Sequence, residues 1–340
     1  MRIDDDTARE MNLNETIHSM KRRSSWHNYQ WKGAYMLTLV VEGRMPVLGE
    51  LVGRVDAPPG SPDSPRVVLS RLGEAILNEE IRKIEYYYPM ITVWEVCIMP
   101  DHIHLIVKVK ENLPEGKHLG KVVSGFKMGC NKAYWQIFHI GDTHGKGLFE
   151  RGYNDKVLVE EGQFDRWIKY LRENPRRLLI KRQYPEYFTV LHDMEVVGRR
   201  CQIVGNRFLL DIPDKMAVVV HRRYSDEEYE RLYEAWMACG ERGGVLVSAA
   251  ISPKEKVVLR AAMDRGYRVI FLRENGFPAL YKPSGESFYA CSRGLLLQIS
   301  PWEYHMQRKT ISRSQCLELN EIAEKIALIS SSQSKNTTCF

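Results

Sequence analysis

The stretch Met99-Pro100-Asp101-His102-Ile103-His104-Leu105-Ile106-Val107 decides how the first half of this chain is read. Side chains on a strand alternate between its faces, so residues two apart point the same way. His102 and His104 therefore present two imidazoles on one face, while Ile103, Leu105 and Val107 turn the other way into a core. Met99-Pro100-Asp101 reads as a tight turn, which makes Thr92 to Ile98 and Ile103 to Val109 adjacent strands. Two neutral imidazoles on a rigid strand make half of a site for a divalent metal. Taken alone, the pattern fits equally well two half-exposed histidines at a sheet edge with no ligand.

Downstream lies Phe164-Asp165-Arg166-Trp167-Ile168-Lys169-Tyr170-Leu171-Arg172-Glu173-Asn174-Pro175. Phe164, Trp167, Ile168 and Leu171 recur at helical spacing and would bury one stripe. Tyr170 and Asn174 are four apart, so they share a face one turn from each other. Pro175 disfavours helical geometry at the residue before it, so the helix is expected to stop at Asn174. If this face lies over the histidine strand, two imidazoles, one amide oxygen and one phenol meet. A phenol with a pKa near 10 is a poor nucleophile at neutral pH. A phosphodiester repels an incoming oxyanion, and a divalent cation on a nonbridging oxygen reduces that repulsion. Mixed nitrogen and oxygen ligands suit exchangeable Mg or Mn. A phosphotyrosyl bond conserves the energy of the ester it replaces, which is the logic of cutting and rejoining rather than of hydrolysis.

The H-x-H strand followed by a Tyr-x-x-x-Asn-Pro helix resembles the single-tyrosine HUH transposases, most of all the REP-associated tyrosine transposases. The likeness runs from about Ala34 to Lys181 and includes Phe149-Glu150-Arg151-Gly152-Tyr153, similar to an aromatic-rich stretch before the family's tyrosine helix. The resemblance implies His102, His104 and Asn174 as ligands of a divalent ion and Tyr170 as the nucleophile. It implies attachment to the 5′ end of the cut strand, and single-stranded DNA bearing a hairpin as substrate. Some relatives work as dimers, so a homodimer is a further expectation. Among rival tyrosines, Tyr153 lacks a ligand partner one turn on and reads as packing or base stacking. Tyr86, Tyr87, Tyr88 and Tyr134 read as core or surface aromatics. Two rival functions use the same residues: a DNA-binding regulator that has lost cleavage, and a metal-dependent nuclease that activates water.

The remainder of this half reads as an α+β domain of split β-α-β type, ferredoxin-like, with helices over one face of an antiparallel sheet. Tyr35 to Val41 is a strand, Asp56 to Pro62 a loop, and Leu69 to Tyr87 a helix. His118 to Phe138 is a second helix, and Lys156 to Val159 a short strand. The histidine face of the sheet is left for the tyrosine helix.

Lys and Arg total 49 against 43 acidic residues, a formal charge of +6. That modest excess permits a DNA partner without requiring one. Its placement says more, because Lys169, Arg172, Arg176, Arg177, Lys181 and Arg182 gather around the tyrosine, with Lys127 and Arg151 as further candidate DNA contacts. Lys21, Arg22 and Arg23 run close to Trp26, Tyr29 and Trp31, a basic and aromatic mixture that suits a single strand.

At 340 residues the chain has room for about two domains. The expected layout is a basic, aromatic arm over 1–33, the HUH-like domain over 34–183, a second domain over 200–329 and a polar tail over 330–340. In the second half, Met216–His221, Gly244–Ser248, Tyr267–Leu272 and Leu295–Ile299 read as strands. They alternate with helices over Ser225–Cys239, Pro253–Arg265 and Ser312–Leu328. This pattern indicates a parallel, doubly wound α/β sheet, Rossmann-like, and resembles the corresponding domain of the DNA-processing A proteins. Gly243 to Pro253 sets a strand end against a helix start, where backbone amides can hold an anion, and Lys282 is a candidate cation nearby. No G-x-G-x-x-G or G-x-x-x-x-G-K-[ST] motif accompanies them, so no ligand residue is assigned there.

Seven cysteines are scattered without a C-x-x-C pair, a reduced pattern rather than a disulfide or zinc framework. The first residues lack the apolar core of a signal peptide, and no apolar run approaches the roughly 20 residues needed to span a bilayer. A cytoplasmic location and no membrane partner are the expectations.

Overall fold

The computed structural model describes residues 27–141, 147–221, 223–278, 281–306 and 311–329. The basic run Lys21 to Arg23, Trp26 and the tail over 330–340 lie outside the described residues. The chain divides into two compact units between Leu179 and Ile180.

In the first unit, β1 (Gly33–Val40), β4 (Ile91–Met99), β5 (His102–Val109) and β6 (Asn154–Val157) form one antiparallel sheet in the order β4-β5-β1-β6. The hairpin β2 (Gly49–Val52) and β3 (Arg66–Leu69) interrupts the path from β1 to the first helices, and the sequence reading did not include it. Those helices are α1 (Arg71–Ala75) and α2 (Ile81–Tyr87), joined by a π-helical turn at Ile76–Glu80 where one continuous helix was expected. Then come α3 (Leu119–Ile137) and α4 (Gln163–Gln183), whose last four residues lie past the division between the units. Apart from the inserted hairpin, strand, helix, two strands, helix and strand follow one another in the split β-α-β pattern.

The alternation of β1 and β5 separates two cores. Tyr35, Leu37, Leu39, Ile103, Leu105, Val107 and Val109 face α1 to α3, meeting Leu72, Ile76, Ile84, Leu119, Val122 and Phe126. Met36 and Ile106 point the other way and meet Trp167 and Leu171 of α4. Helices therefore cover both faces of the sheet, and α4 lies on the face of Met36, Thr38, His102 and His104.

The expected stop at Asn174 is overturned, because α4 runs through Pro175 to Gln183. Proline removes one amide donor, a cost that tertiary contacts can outweigh. Past it, Ile180 is buried and the Arg176 guanidinium donates to the backbone carbonyls of Val55 and Ala57. The start of α4 is tied down as well. The Gln163 carboxamide accepts from the amides of Val159 and Glu160 at 2.8 and 3.1 Å and donates to the carbonyl of Val157 at 3.2 Å, joining the end of β6 to the helix.

The second unit holds a sheet in the order β7-β8-β12-β11-β10-β9. Its strands are β7 (Leu191–Val196), β8 (Arg199–Gly205), β9 (Lys215–Ala217), β10 (Val245–Ser248), β11 (Arg268–Leu272) and β12 (Leu296–Ser300). The last four are parallel and are linked by α5 (Asp226–Glu241), α6 (Pro253–Asp264) and α7 (Gly285–Ser292). The expectation of a doubly wound sheet needs correcting. The order β9 to β12 advances in one direction without a reversal, because the far edge of β12 is taken by antiparallel β8. The second face is covered instead by α8 (Arg313–Leu328), whose Leu319, Ile322, Ala323 and Ile326 pack on Val247, Ile270 and Ile299. The β7-β8 hairpin occupies part of the stretch read as an interdomain boundary. Its turn residues Val197 and Gly198 both have positive φ, 48° and 75°, as a type I′ hairpin turn requires.

No described helix is long and apolar enough to cross a membrane. The six described cysteines are free thiols.

Candidate functional site

β5 is an interior strand, hydrogen-bonded to β4 on one side and β1 on the other. The register sets His104 between Cys97 and Thr38, and His102 between Met99 and Val40. The two imidazoles lie 4.8 Å apart between ring centroids, nearly perpendicular at 83°. Each Nδ1 has a partner. Asp101 Oδ1 lies 2.6 Å from His102 Nδ1, and Thr38 Oγ1 lies 2.8 Å from His104 Nδ1. Burial works to raise the Asp101 carboxyl, but the hydrogen bond and charge of His102 and the Arg44 guanidinium at 3.1 Å outweigh it and hold the group at about 2.

Trp167 and Leu171 anchor α4 over this face, and helical spacing does the rest. Asn174 falls on the buried stripe with 4% of its surface exposed, while Tyr170 sits at the stripe's edge with 36% exposed. The Tyr170 ring meets the His104 ring edge-on, 5.6 Å between centroids. Burial raises the Tyr170 pKa, the nearby Arg177 guanidinium, 5.7 Å from the ring centroid, works to lower it, and Cys97 works to raise it. The Asn174 amide nitrogen is buried without a hydrogen bond of ordinary geometry; its polar company is the Cys97 thiol, too weak an acceptor to satisfy an amide. That thiol is pushed up to about 12 by burial first and by the Glu95 carboxylate second, with the Asn174 contact opposing. It is thus a neutral thiol at ordinary pH. Among the described residues no cluster of three or more His, Cys, Asp or Glu could hold a metal. A three-ligand set here therefore needs a neutral oxygen such as that of Asn174.

Apart from Arg177, which lies beside the Tyr170 ring, the candidate DNA contacts separate into two groups. Lys169, Arg172 and Arg151 are exposed. Lys169 lies 3.9 Å from the Glu173 carboxylate, and Arg172 lies 3.7 Å from that of Glu95. Arg176 and Lys127 instead serve the fold. Arg176 ties α4 to the β2-β3 connection, and Lys127 donates to the carbonyls of Glu150 and Gly152, pinning the segment that leads into β6. Tyr153 packs against the first core, and Tyr86 and Tyr87 are surface residues. Sequence reasoning assigned no role to Thr38 or to Asp101. Asp101 stood inside the quoted stretch, while Thr38 is distant in sequence and becomes a neighbour only through strand register.

In the second unit, the proposed anion position is already filled from within. The Ala250 amide donates to Ser248 Oγ, and the amides of Ile251 and Ser252 donate to the Glu255 carboxylate. Glu255 is buried and also accepts from the amide of Val220. Lys282 donates to the carbonyl of Phe188 at 2.8 Å.

No protein-family model matches the chain. An uncharacterised protein of Haemophilus influenzae is 21% identical over 176 residues, 46% of this chain and 88% of the relative. Among solved structures, a REP-associated tyrosine transposase bound to a REP hairpin is similar over 45% of this chain and 73% of its own, at 16% identity and a TM-score of 0.30. The DNA-processing protein A of Helicobacter pylori is similar over 41% and 65%, also at 16% identity and a TM-score of 0.30.

Proposed function

We propose that the first unit cuts and rejoins single-stranded DNA through a covalent phosphotyrosine. Tyr170 is the nucleophile, and His102, His104 and Asn174 hold a divalent ion, Mg or Mn. The observation that supports this reading is the seating of Tyr170 edge-on to His104, on a helix packed against the H-x-H face. The residues suit the ion. Two imidazoles and a neutral amide make a weak, exchangeable set, and the buried Asn174 amide nitrogen has no hydrogen bond of ordinary geometry to explain the side chain as packing. When bound, the ion supplies charge neutralisation at a nonbridging phosphate oxygen.

Tyr170 Oη forms a bond to phosphorus as the bond from phosphorus to the 3′ oxygen breaks. The phenol loses one proton and the departing oxygen gains one, so the step balances. The product is a 5′-phosphotyrosine and a free 3′ hydroxyl, the polarity that the sequence resemblance implies. Attack by a 3′ hydroxyl on the same bond runs the step backwards and rejoins a strand without ATP. Arg177 beside the ring favours the phenolate against the effect of burial. The substrate class is single-stranded DNA with an adjoining hairpin, again from the sequence resemblance.

The test is covalent trapping on a labelled library of hairpin-bearing single strands with randomised flanks, with Mn²⁺ added. Wild type is expected to give a denaturant-resistant protein–DNA adduct, and Tyr170→Phe is expected to bind the same DNA without one. Cut DNA with no adduct would replace this reading by a water-activating nuclease. Binding by wild type with neither cut nor adduct would leave a DNA-binding regulator.

A further inference from the structure

We infer that Asp101 and Thr38 are positioning residues that keep the ring proton of both His102 and His104 on Nδ1, so that both Nε2 lone pairs are available to one cation. The inference rests on the metal reading above and deepens it.

A neutral imidazole has one N–H and one lone pair, and only the lone pair binds a metal. Free imidazole side chains favour the proton on Nε2, the nitrogen that would have to act as ligand here. Two adjacent histidines must both be switched for a shared ion to bind. At His102 the switch follows from charge. Asp101 accepts hydrogen bonds and cannot donate them when ionised, so Nδ1 at 2.6 Å must carry the proton. The carboxylate is itself held. Arg44 donates to Asp101 Oδ2 at 3.1 Å, and the Asp101 carbonyl accepts from the Val41 amide at 2.9 Å, which pins the turn to the end of β1. At His104 the partner is a hydroxyl. Thr38 faces His104 directly across the β1-β5 ladder, with Oγ1 2.8 Å from Nδ1. A β-branched side chain on an interior strand has little rotamer freedom, so that oxygen is held beside Nδ1; a hydroxyl can donate or accept, and the proposed tautomer has it accepting from Nδ1–H. One partner comes from the turn before β5 and the other from the neighbouring strand. The two rings thus have independent partners and stand at 83° to each other. Partners of this kind fix the ring tautomer and typically tune metal affinity 10- to 100-fold.

The experiment is ¹⁵N NMR of the ring nitrogens in the metal-free full chain, above the pH at which the imidazoles are protonated. It is paired with Mn²⁺ titration of the same samples. Wild type is expected to show Nδ1–H at both histidines. Thr38→Val, which keeps the shape and loses the oxygen, should move His104 toward Nε2–H and weaken Mn²⁺ binding by about 10- to 100-fold, and Thr38→Ser should restore both. Asp101→Ala should do the same to His102 while leaving His104 unchanged, and Asp101→Asn, which keeps a carbonyl acceptor, should retain the wild-type tautomer. A wild-type His104 protonated on Nε2, or a folded Thr38→Val protein with unaltered tautomer and Mn²⁺ affinity, overturns the inference. Nδ1–H tautomers in a wild type that takes up no Mn²⁺ would instead overturn the metal reading and leave the tautomer assignment standing.

Discussion

Asn174 and Tyr170 sit one helical turn apart and meet different surroundings. The phenol is partly open to solvent, while the amide is buried with its nitrogen unsatisfied. An unsatisfied buried amide costs stability, and replacing it by an apolar group of similar shape can be nearly neutral or stabilising. Asn174→Leu is therefore expected to leave denaturant stability unchanged or raised by about 1 kcal/mol, while abolishing adduct formation. A large loss of stability would show the amide to be structural. Asp101 offers a test by pH. Its carboxyl is held at about 2, below its ordinary 3.8, by His102 and Arg44 against the effect of burial. A depressed carboxyl stabilises the fold above its unfolded pKa, and that stability is lost as pH falls toward 2. One pKa unit corresponds to 1.36 kcal/mol, so Asp101→Asn should cost at most about 2 kcal/mol near neutrality and progressively less below pH 4. Urea titrations of both proteins across that range would check it. A penalty independent of pH would mean that the charge is not what matters.

Elements with strong local signals were legible, and those depending on distant partners were not. Ser225, Ser252 and Ser312 each stand three residues before Glu or Gln, and all three open helices with reciprocal capping boxes. The box at Ser252 also carries a load that no local pattern shows. Its Glu255 is buried and serves the amides of Ile251, Ser252 and, from a distant part of the chain, Val220. Glu255→Ala strands those donors, each worth about 1–3 kcal/mol when left unsatisfied, and should cost at least about 3 kcal/mol. Glu228→Ala in the exposed box of α5 should cost only about 1 kcal/mol. Chemical denaturation of the two variants gives the comparison, and equal penalties would refute the added role of Glu255. The end of α4 was misjudged for the same kind of reason. The proline rule is local, whereas the hold that Arg176 has on the Val55 and Ala57 carbonyls comes from residues more than a hundred positions earlier. The β7-β8 hairpin escaped notice because its turn is Val-Gly, and a β-branched residue with positive φ is not the usual signal for such a turn.

At the scale of the whole molecule, the sequence showed the strand alternation around His102 and His104 and the spacing that puts Tyr170 and Asn174 on one helical face, though it left open whether that face meets the histidine strand. It did not show which basic side chains were already spent. Lys127 and Arg176 counted toward a DNA-binding surface in sequence, yet both are engaged with backbone carbonyls. Summed charge overstates the cations available to phosphate, because distance along the chain says nothing of internal use. The architecture also divides the candidate site between two kinds of support. His102 and His104 ride on an interior strand laced to neighbours on both sides, while Tyr170 and Asn174 belong to a helix that lies against the sheet through side chains alone near the site. Amide exchange with deuterium should expose the difference, with the protons of β5 among the slowest to be replaced and those of α4 released earlier through partial opening. Under mild denaturant the imidazole pair would then outlast Tyr170 and Asn174 together as an ordered feature, so that the phenol and the amide would leave the histidine strand in a single step.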